Sequence, residues 1–218
     1  MFIKIKDLHK NYGPTEVIRG INFELEKSRE LVILGSSGSG KSTLLYILGA
    51  LESVDRGEVL INGRNITQMN DAELADFRNT EIGFVFQFHF LLPSMTCIKN
   101  ILLPAQIGGV PLKEVKKRVE EFAKVLNVEH CLKKYPYQLS GGEQQRINII
   151  RAISLSHSIL LCDEPTGNLD SKNSQIVIDL LRDVSHKIGA TLVVVTHDEK
   201  ISNTFTRKIT IEDGQIIS

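Results

Sequence analysis

Between positions 35 and 42 the chain reads Gly-Ser-Ser-Gly-Ser-Gly-Lys-Ser, three glycines followed by a cation and a hydroxyl. Gly35, Gly38 and Gly40 let the backbone curl tightly and turn successive N–H groups to one side, which makes a nest for an anion. The apolar run Leu31-Val-Ile-Leu34 precedes it and Thr43-Leu-Leu-Tyr-Ile-Leu48 follows, so the spacing predicts a strand, a glycine-rich turn and a helix. The positive end of that helix, opening near Lys41, adds to the nest. A triphosphate fits such a loop, and Ser36, Ser37, Ser39 and Thr43 belong to it as ligand-binding positions. Lys41 would reach the β- and γ-phosphates, while the Ser42 hydroxyl would ligate a Mg²⁺ bridging them. A plain Gly/Ser loop carrying a surface lysine is the alternative, and the strand and helix flanks weigh against it.

Residues that act together must be brought together, and open α/β sheets bind ligands beyond the carboxyl ends of their strands. Four apolar runs end on polar residues. Leu31–Leu34 ends at the glycine loop, Ile82–Phe86 at Gln87, Ile159–Cys162 at Asp163-Glu164, and Thr191–Thr196 at His197. Asp163 would hold Mg²⁺ opposite Ser42. Glu164 is placed to take a proton from a water attacking a γ-phosphate. His197 would bridge that phosphate and the base. The Gln87 amide oxygen suits Mg²⁺ or the attacking water. Each has a plainer reading, as a turn carboxylate, a packed histidine or a strand-end amide, and the upstream loop counts against all three.

The remaining pattern supplies the scaffold. Phe2–Leu8 and Val17–Leu25 read as strands, Asn62-Gly63 and Asp213-Gly214 as hairpin turns, and Lys208–Glu212 pairs with 215–217. From Thr96 to Ser156 the pattern turns helical, with Leu112, Val115, Val119, Phe122 and Leu126 at the helical period after Pro111. Ser158–Cys162 and Thr191–Val195 flank a helix over 171–188 closed by Gly189, the alternation of a parallel sheet. At 218 residues, 42% apolar and 24% charged, one full core is expected. Lys+Arg and Asp+Glu both number 26, so net charge gives no support to a nucleic-acid partner. Cys97, Cys131 and Cys162 are too scattered for a disulfide framework or a metal motif and read as reduced thiols of the cytosol. The alternating amino terminus does not read as a leader peptide, and the uncharged run 82–98 holds Gln87, His89 and Pro93 and does not read as a membrane span.

Leu139-Ser-Gly-Gly-Glu-Gln144 reads locally as a capping box, Ser140 to Glu143, opening a helix. Gly141 and Gly142 weaken its first turn, by about 1 kcal/mol each where helical, which points to a backbone left bare for a second anion. With the glycine loop, Gln87, Asp163-Glu164, Asn168-Leu-Asp170 and His197 in this order, the chain resembles the nucleotide-binding subunit of ABC transporters over its whole length. Phe86–Pro93 and Pro165–Asp170 look most like the LolD/MacB/FtsE branch. The resemblance implies an α/β P-loop NTPase fold with a mixed, largely parallel core sheet, an N-terminal antiparallel β part and an inserted helical subdomain at about 91–156, the core being 1–90 and 157–218. It implies a homodimer sandwiching two ATP molecules, each held by one copy's phosphate loop and the other's Ser140-Gly141-Gly142. Tyr12 then corresponds to the aromatic that stacks on adenine, and Asp170 to the residue that communicates between the two sites.

The expected function is that of a MgATP-dependent ATPase on the cytoplasmic face of the inner membrane. It would drive an FtsX/MacB-type permease that exports or extracts lipoproteins, peptides or drugs. Apolar surface around Phe90–Met95 would receive a permease helix, whereas the phenylalanines at 84, 86, 88 and 90 read mostly as core. A regulatory ATPase that signals to cell-envelope partners without net transport is the alternative. A soluble ABC protein of translation or repair is a further one, weakened by the single cassette.

Overall fold

A computed structural model describes all residues except His89, Asn168 and Asp170, with Ser171 and Lys172 as backbone only. The chain opens with β1 (Ile3–Tyr12) and β2 (Thr15–Leu25), an antiparallel pair. Next come β3 (Glu30–Leu34), α1 (Lys41–Leu48), β4 (Arg56–Ile61), β5 (Arg64–Asn65), α2 (Asp71–Glu81) and β6 (Ile82–Val85). Three helices follow, α3 (Cys97–Ile107), α4 (Leu112–Val125) and α5 (Gly141–Ile153). The chain then alternates through β7 (Ile159–Asp163), α6 (Ser171–Ile188), β8 (Thr191–Val195) and α7 (Glu199–Ser202), and closes with the hairpin β9 (Lys208–Glu212) and β10 (Gln215–Ile216).

Two sheets result. One is antiparallel, in the order β2-β1-β4-β5; the other runs β10-β9-β3-β8-β7-β6 and is parallel except for the terminal hairpin. The inner strands β7 and β8 are buried at every residue, which is why they appear in the sequence as unbroken apolar runs rather than alternating ones. Their side chains go to opposite faces. Val32, Leu160, Cys162, Leu192 and Val194 join the core packed by α3, α5 and α6. Leu31, Ile33, Leu161, Val193 and Val195 join the core of α1 and the antiparallel sheet.

Register brings the functional strand ends level. Val195 pairs with both Ile33 and Asp163, so the residues that follow β3, β7 and β8 emerge side by side. The hairpins and the helix over 171–188 lie where the sequence places them. β1 runs on to Tyr12 because Tyr12 pairs with Thr15 across a tight turn, and β6 stops at Val85. That stop corrects the expectation for the phenylalanines. Once the strand ends, alternation no longer buries every second residue, and Phe88 (67%) and Phe90 (63%) are exposed.

Candidate functional site

The phosphate loop is shaped by what its backbone must pass. Gly35 has φ +150°, and a Cβ there would lie 2.2 Å from the Ile211 carbonyl oxygen and 2.6 Å from Ser39 Oγ. Gly40 is left-handed at φ +103°, and its Cβ would come within 2.9 Å of Ile18 and Val17. Only glycine fits either position without displacing backbone. Gly40 is also the N-cap of α1, so no side chain caps that helix, and no acid lies in its first turn. Its free N–H groups are therefore left to an outside anion. Lys41 is buried, and its Nζ donates to the Ser36 carbonyl at 2.6 Å, folding the ammonium over the loop. Burial pushes that ammonium below the ordinary lysine range, opposed by the nearby Glu164 and Asp163 carboxylates.

Asp163 is nearly inaccessible, and both its oxygens are engaged. Ser42 Oγ donates to Oδ1 at 3.0 Å, and the Tyr46 hydroxyl donates to Oδ2 at 2.8 Å. Glu164 sits at φ +45°, unusual for a side chain with a Cβ. Its N–H donates to the Val195 carbonyl and its own carbonyl accepts from Gly167. That backbone kink delivers the carboxylate to β8: His197 Nδ1 lies 2.7 Å from Oε1, and Thr196 Oγ1 lies 3.3 Å from Oε2. Glu164 is 11% exposed and His197 72%, so the imidazole covers the carboxylate from the solvent side. These residues border a cavity of about 150 Å³ with Thr166, Gly167 and Asp198.

The other sequence candidates lie around this centre. Tyr12 is 45% exposed, and its hydroxyl donates to Glu52 at 3.0 Å while Lys10 Nζ sits 5.4 Å from its ring centroid. Thr43 is close enough to influence the phenol, which places the ring near the first turn of α1. Gln87 is exposed just past β6, with its amide nitrogen beside Gly167. Ser140 caps α5 through the expected box: its Oγ accepts from Glu143 N–H, and Glu143 Oε2 accepts from Ser140 N–H at 2.8 Å. The Ser140 backbone, then His130 and the Ser140 hydroxyl, hold the Glu143 carboxyl down to about 2. A Cβ on Gly141 would meet nothing within 4 Å, and one on Gly142 only ordinary contacts with Leu169 at 3.5 Å and Arg146 at 3.8 Å. Among the described residues no hydrogen bond joins Ser140, Gly141 or Gly142 to the phosphate loop. Asp170, with Asn168, lies outside the described residues.

Three residues escaped the sequence reading. Tyr46 lies four positions after Ser42, on the same face of α1, and the i, i+4 spacing was the available signal. Gln145, in α5, donates to the Pro165 carbonyl at 2.6 Å, and Asn148 donates to the Phe86 carbonyl at 3.1 Å. Together they tie α5 to the segments after β7 and β6, a contact that no local pattern announces.

A glycine-rich loop feeding an uncapped helix, beside an acidic strand end on a parallel sheet, defines a P-loop nucleoside triphosphatase. The family model described as ABC transporter matches residues 18–167. A lipoprotein-releasing system ATP-binding protein LolD of Cytophaga hutchinsonii is 44% identical over 99% of this chain and 98% of its own length. An uncharacterised ABC transporter ATP-binding protein of Thermotoga maritima is 45% identical over 98% of this chain and 93% of its own. The solved dimeric structure of MJ0796, described as a bacterial ABC transporter cassette, superposes with a TM-score of 0.93 at 36% identity, covering 99% of this chain and 97% of that one. A second structure of that cassette, in a post-hydrolysis state bound to ADP and Pi, superposes at 0.92. The chain belongs to the ABC transporter family, as an ATP-binding and ATP-hydrolysing subunit of the LolD/MacB/FtsE branch.

Proposed function

We propose that two copies of this chain clamp two MgATP molecules head to tail and that closure and reopening of this clamp drive an FtsX/MacB-type permease in the inner membrane. The observation that carries this reading is the pairing of Ser42 with Asp163 and of Glu164 with His197 across strand ends held level by Val195. In it the phosphate loop from Gly35 to Thr43 holds the phosphates, Lys41 contacts the β- and γ-groups, and Tyr12 stacks on adenine with its hydroxyl fixed by Glu52. The other copy's Ser140-Gly141-Gly142 closes on the γ-phosphate, and Asp170 communicates between the sites.

Ser42 and Asp163 suit Mg²⁺. Both offer hard oxygens, and their 3.0 Å separation is close to the cis edge of an octahedron with arms of about 2.0–2.1 Å, roughly 2.9 Å. When bound, that cation neutralises charge developing on the phosphate oxygens. Gln87 lies at the edge of the same site and orients the water. Glu164 accepts the water's proton, and His197, with hydrogen on both ring nitrogens, donates from Nδ1 to the carboxylate and from Nε2 to a γ-oxygen.

LolD relatives are named for lipoprotein release, and a lipoprotein-extracting permease is the partner this reading favours; peptide or drug export fits the same machine. A groove of about 510 Å³ between the helical part and the sheet, lined by Phe84, Phe86, Phe90, Leu103, Pro104 and Ile107, is the place for a permease helix on this reading; it meets the expected surface at Phe90, and residues 91–95 do not line it. No helix among the described residues is long and apolar enough to cross a membrane, so membrane attachment would run through that groove. The test is Glu164→Gln. ATP should still bind, turnover should fall by about 10²–10⁴ as expected for loss of a general base, and a nucleotide-bound dimer should accumulate. Near wild-type turnover, or a chain that stays monomeric with ATP and permease present, refutes the reading.

A further inference from the structure

The fold assembles a second ligand set, away from the ATP-binding strand ends, that spacing in the sequence does not show. His130 Nε2 lies 2.8 Å from Glu143 Oε1, and Cys131 Sγ lies 3.4 Å from both. We propose that His130, Cys131 and Glu143 form a binding site for a thiophilic divalent cation of the zinc class, tying the turn over 129–131 to the first turn of α5.

The dimensions fit. Zinc arms of about 2.0–2.3 Å to nitrogen, oxygen and sulfur give a tetrahedron with edges of about 3.3–3.7 Å. Two of the three edges already have that length, and the third opens by roughly half an ångström through a small rotation of His130, which is 58% exposed. Glu143 is oriented independently of the other two ligands, because its Oε2 is held by the Ser140 N–H and hydroxyl. That is the outer-shell support that metal-binding carboxylates use. As the structure stands, the Cys131 thiol donates to Glu143 Oε1, and His130 Nε2 converges on the same oxygen. One cation replaces the whole arrangement: the S–H bond breaks, its proton goes to solvent, and neutral His130 moves its hydrogen from Nε2, where it faces Glu143 Oε1, to Nδ1, freeing the Nε2 lone pair to bind. Thiolate and carboxylate then balance a dication, leaving a fourth position for water. Burial and then the Glu143 carboxylate push the Cys131 thiol up to about 11, against a smaller pull from Lys134, so the cation has to displace that proton. Sulfur and nitrogen donors select zinc-like ions over Mg²⁺, unlike the all-oxygen pair Ser42 and Asp163.

The site is tested on the full chain, reduced and without nucleotide, titrated with Co²⁺ and then Zn²⁺. Wild type should develop the ultraviolet charge-transfer absorption of a cobalt–thiolate bond, saturating at one equivalent. Zn²⁺ should abolish that band and raise Tm by several degrees, and excess Mg²⁺ should do neither. Cys131→Ser should lose the band. His130→Ala should weaken Co²⁺ binding by about tenfold or more, the scale seen when a metal shell is disturbed. Cys97→Ser should keep the band. Absence of a thiolate band in wild type, its survival in Cys131→Ser, or its loss in Cys97→Ser alone overturns the proposal. Should Cys131→Ser not fold, the surface variant His130→Ala decides, and unchanged affinity there overturns it equally.

Discussion

Replacing Tyr46 by Phe removes one oxygen from the site and almost nothing else. The ring keeps its place against Phe84, 5.8 Å away between centroids, so the loss isolates the 2.8 Å bond from the phenol to Asp163 Oδ2. Burial and the Asp163 charge push the phenol up to about 12, so it remains a donor at any working pH. A hydrogen bond to a charged acceptor contributes about 1.5–3 kcal/mol, and because Tyr46 is only half-buried, water replaces part of it. A loss of about 2 kcal/mol follows, worth roughly 4–8 °C in Tm for a domain of this size. The sharper expectation concerns nucleotide. If Asp163 holds Mg²⁺, the cation relieves the stranded carboxylate, and the deficit should shrink by at least half in MgATP. Thermal unfolding of both proteins, in the Glu164→Gln background to stop turnover, measures this with and without MgATP. A destabilisation under about 0.5 kcal/mol would show that the bond is replaced by water. A deficit that MgATP leaves untouched would refute the cation-holding role of Asp163.

Gly141→Ala and Gly142→Ala should leave stability unchanged or raise it by up to about 1 kcal/mol, since alanine favours helix and the added Cβ meets no tight contact. ATP-driven dimerisation and turnover should nevertheless fall by at least about tenfold, one 1.4 kcal/mol step; full activity would show that the bare turn serves no partner. His157 is buried with its two ring nitrogens against the Ala152 and Asn79 carbonyls, and burial holds it below its ordinary 6.5. Below about pH 6.5 the unfolded chain takes a proton that the folded one refuses, so stability falls as pH drops from there to the folded-state value and is fully present above 6.5. His157→Gln should flatten that part of the stability profile measured by urea unfolding, and an unchanged slope would exclude His157 as its source.

The phosphate loop, the acidic strand end and the signature turn were legible because each is a contiguous run whose chemistry is written locally. Two partnerships among them, Ser42 with Asp163 and His197 with Glu164, were legible as well, once the strand ends are taken to converge. The third was not: Asp163 meets Tyr46 only because α1 packs across β7. Phe88 was misread because alternation predicts burial only while a strand continues, and β6 ends at Val85; the exposure of Phe90 agrees with the apolar surface expected over 90–95 rather than with the core reading. The ligand cluster at His130 was invisible because Cys131 and Glu143 stand twelve positions apart in the sequence.

The glycines separate what one chain completes from what it leaves open. In the phosphate loop, Gly35 and Gly40 are demanded by the chain's own atoms, since a Cβ would run into Ile211, Val17 or Ile18; these glycines shape a nest that is finished within a single copy. Gly141 carries no such demand. Its space is empty, its backbone lies in an ordinary helical turn, and alanine would serve the isolated helix better. A residue that weakens its own element and relieves no internal clash is accounted for by what approaches from outside. The same helix begins with a capping serine and a carboxylate already committed to each other, so the N–H groups beyond the cap remain available to an anion. On the proposed function a single chain would present one finished phosphate site and one unfinished half-site, and head-to-tail pairing of two chains would satisfy both at once.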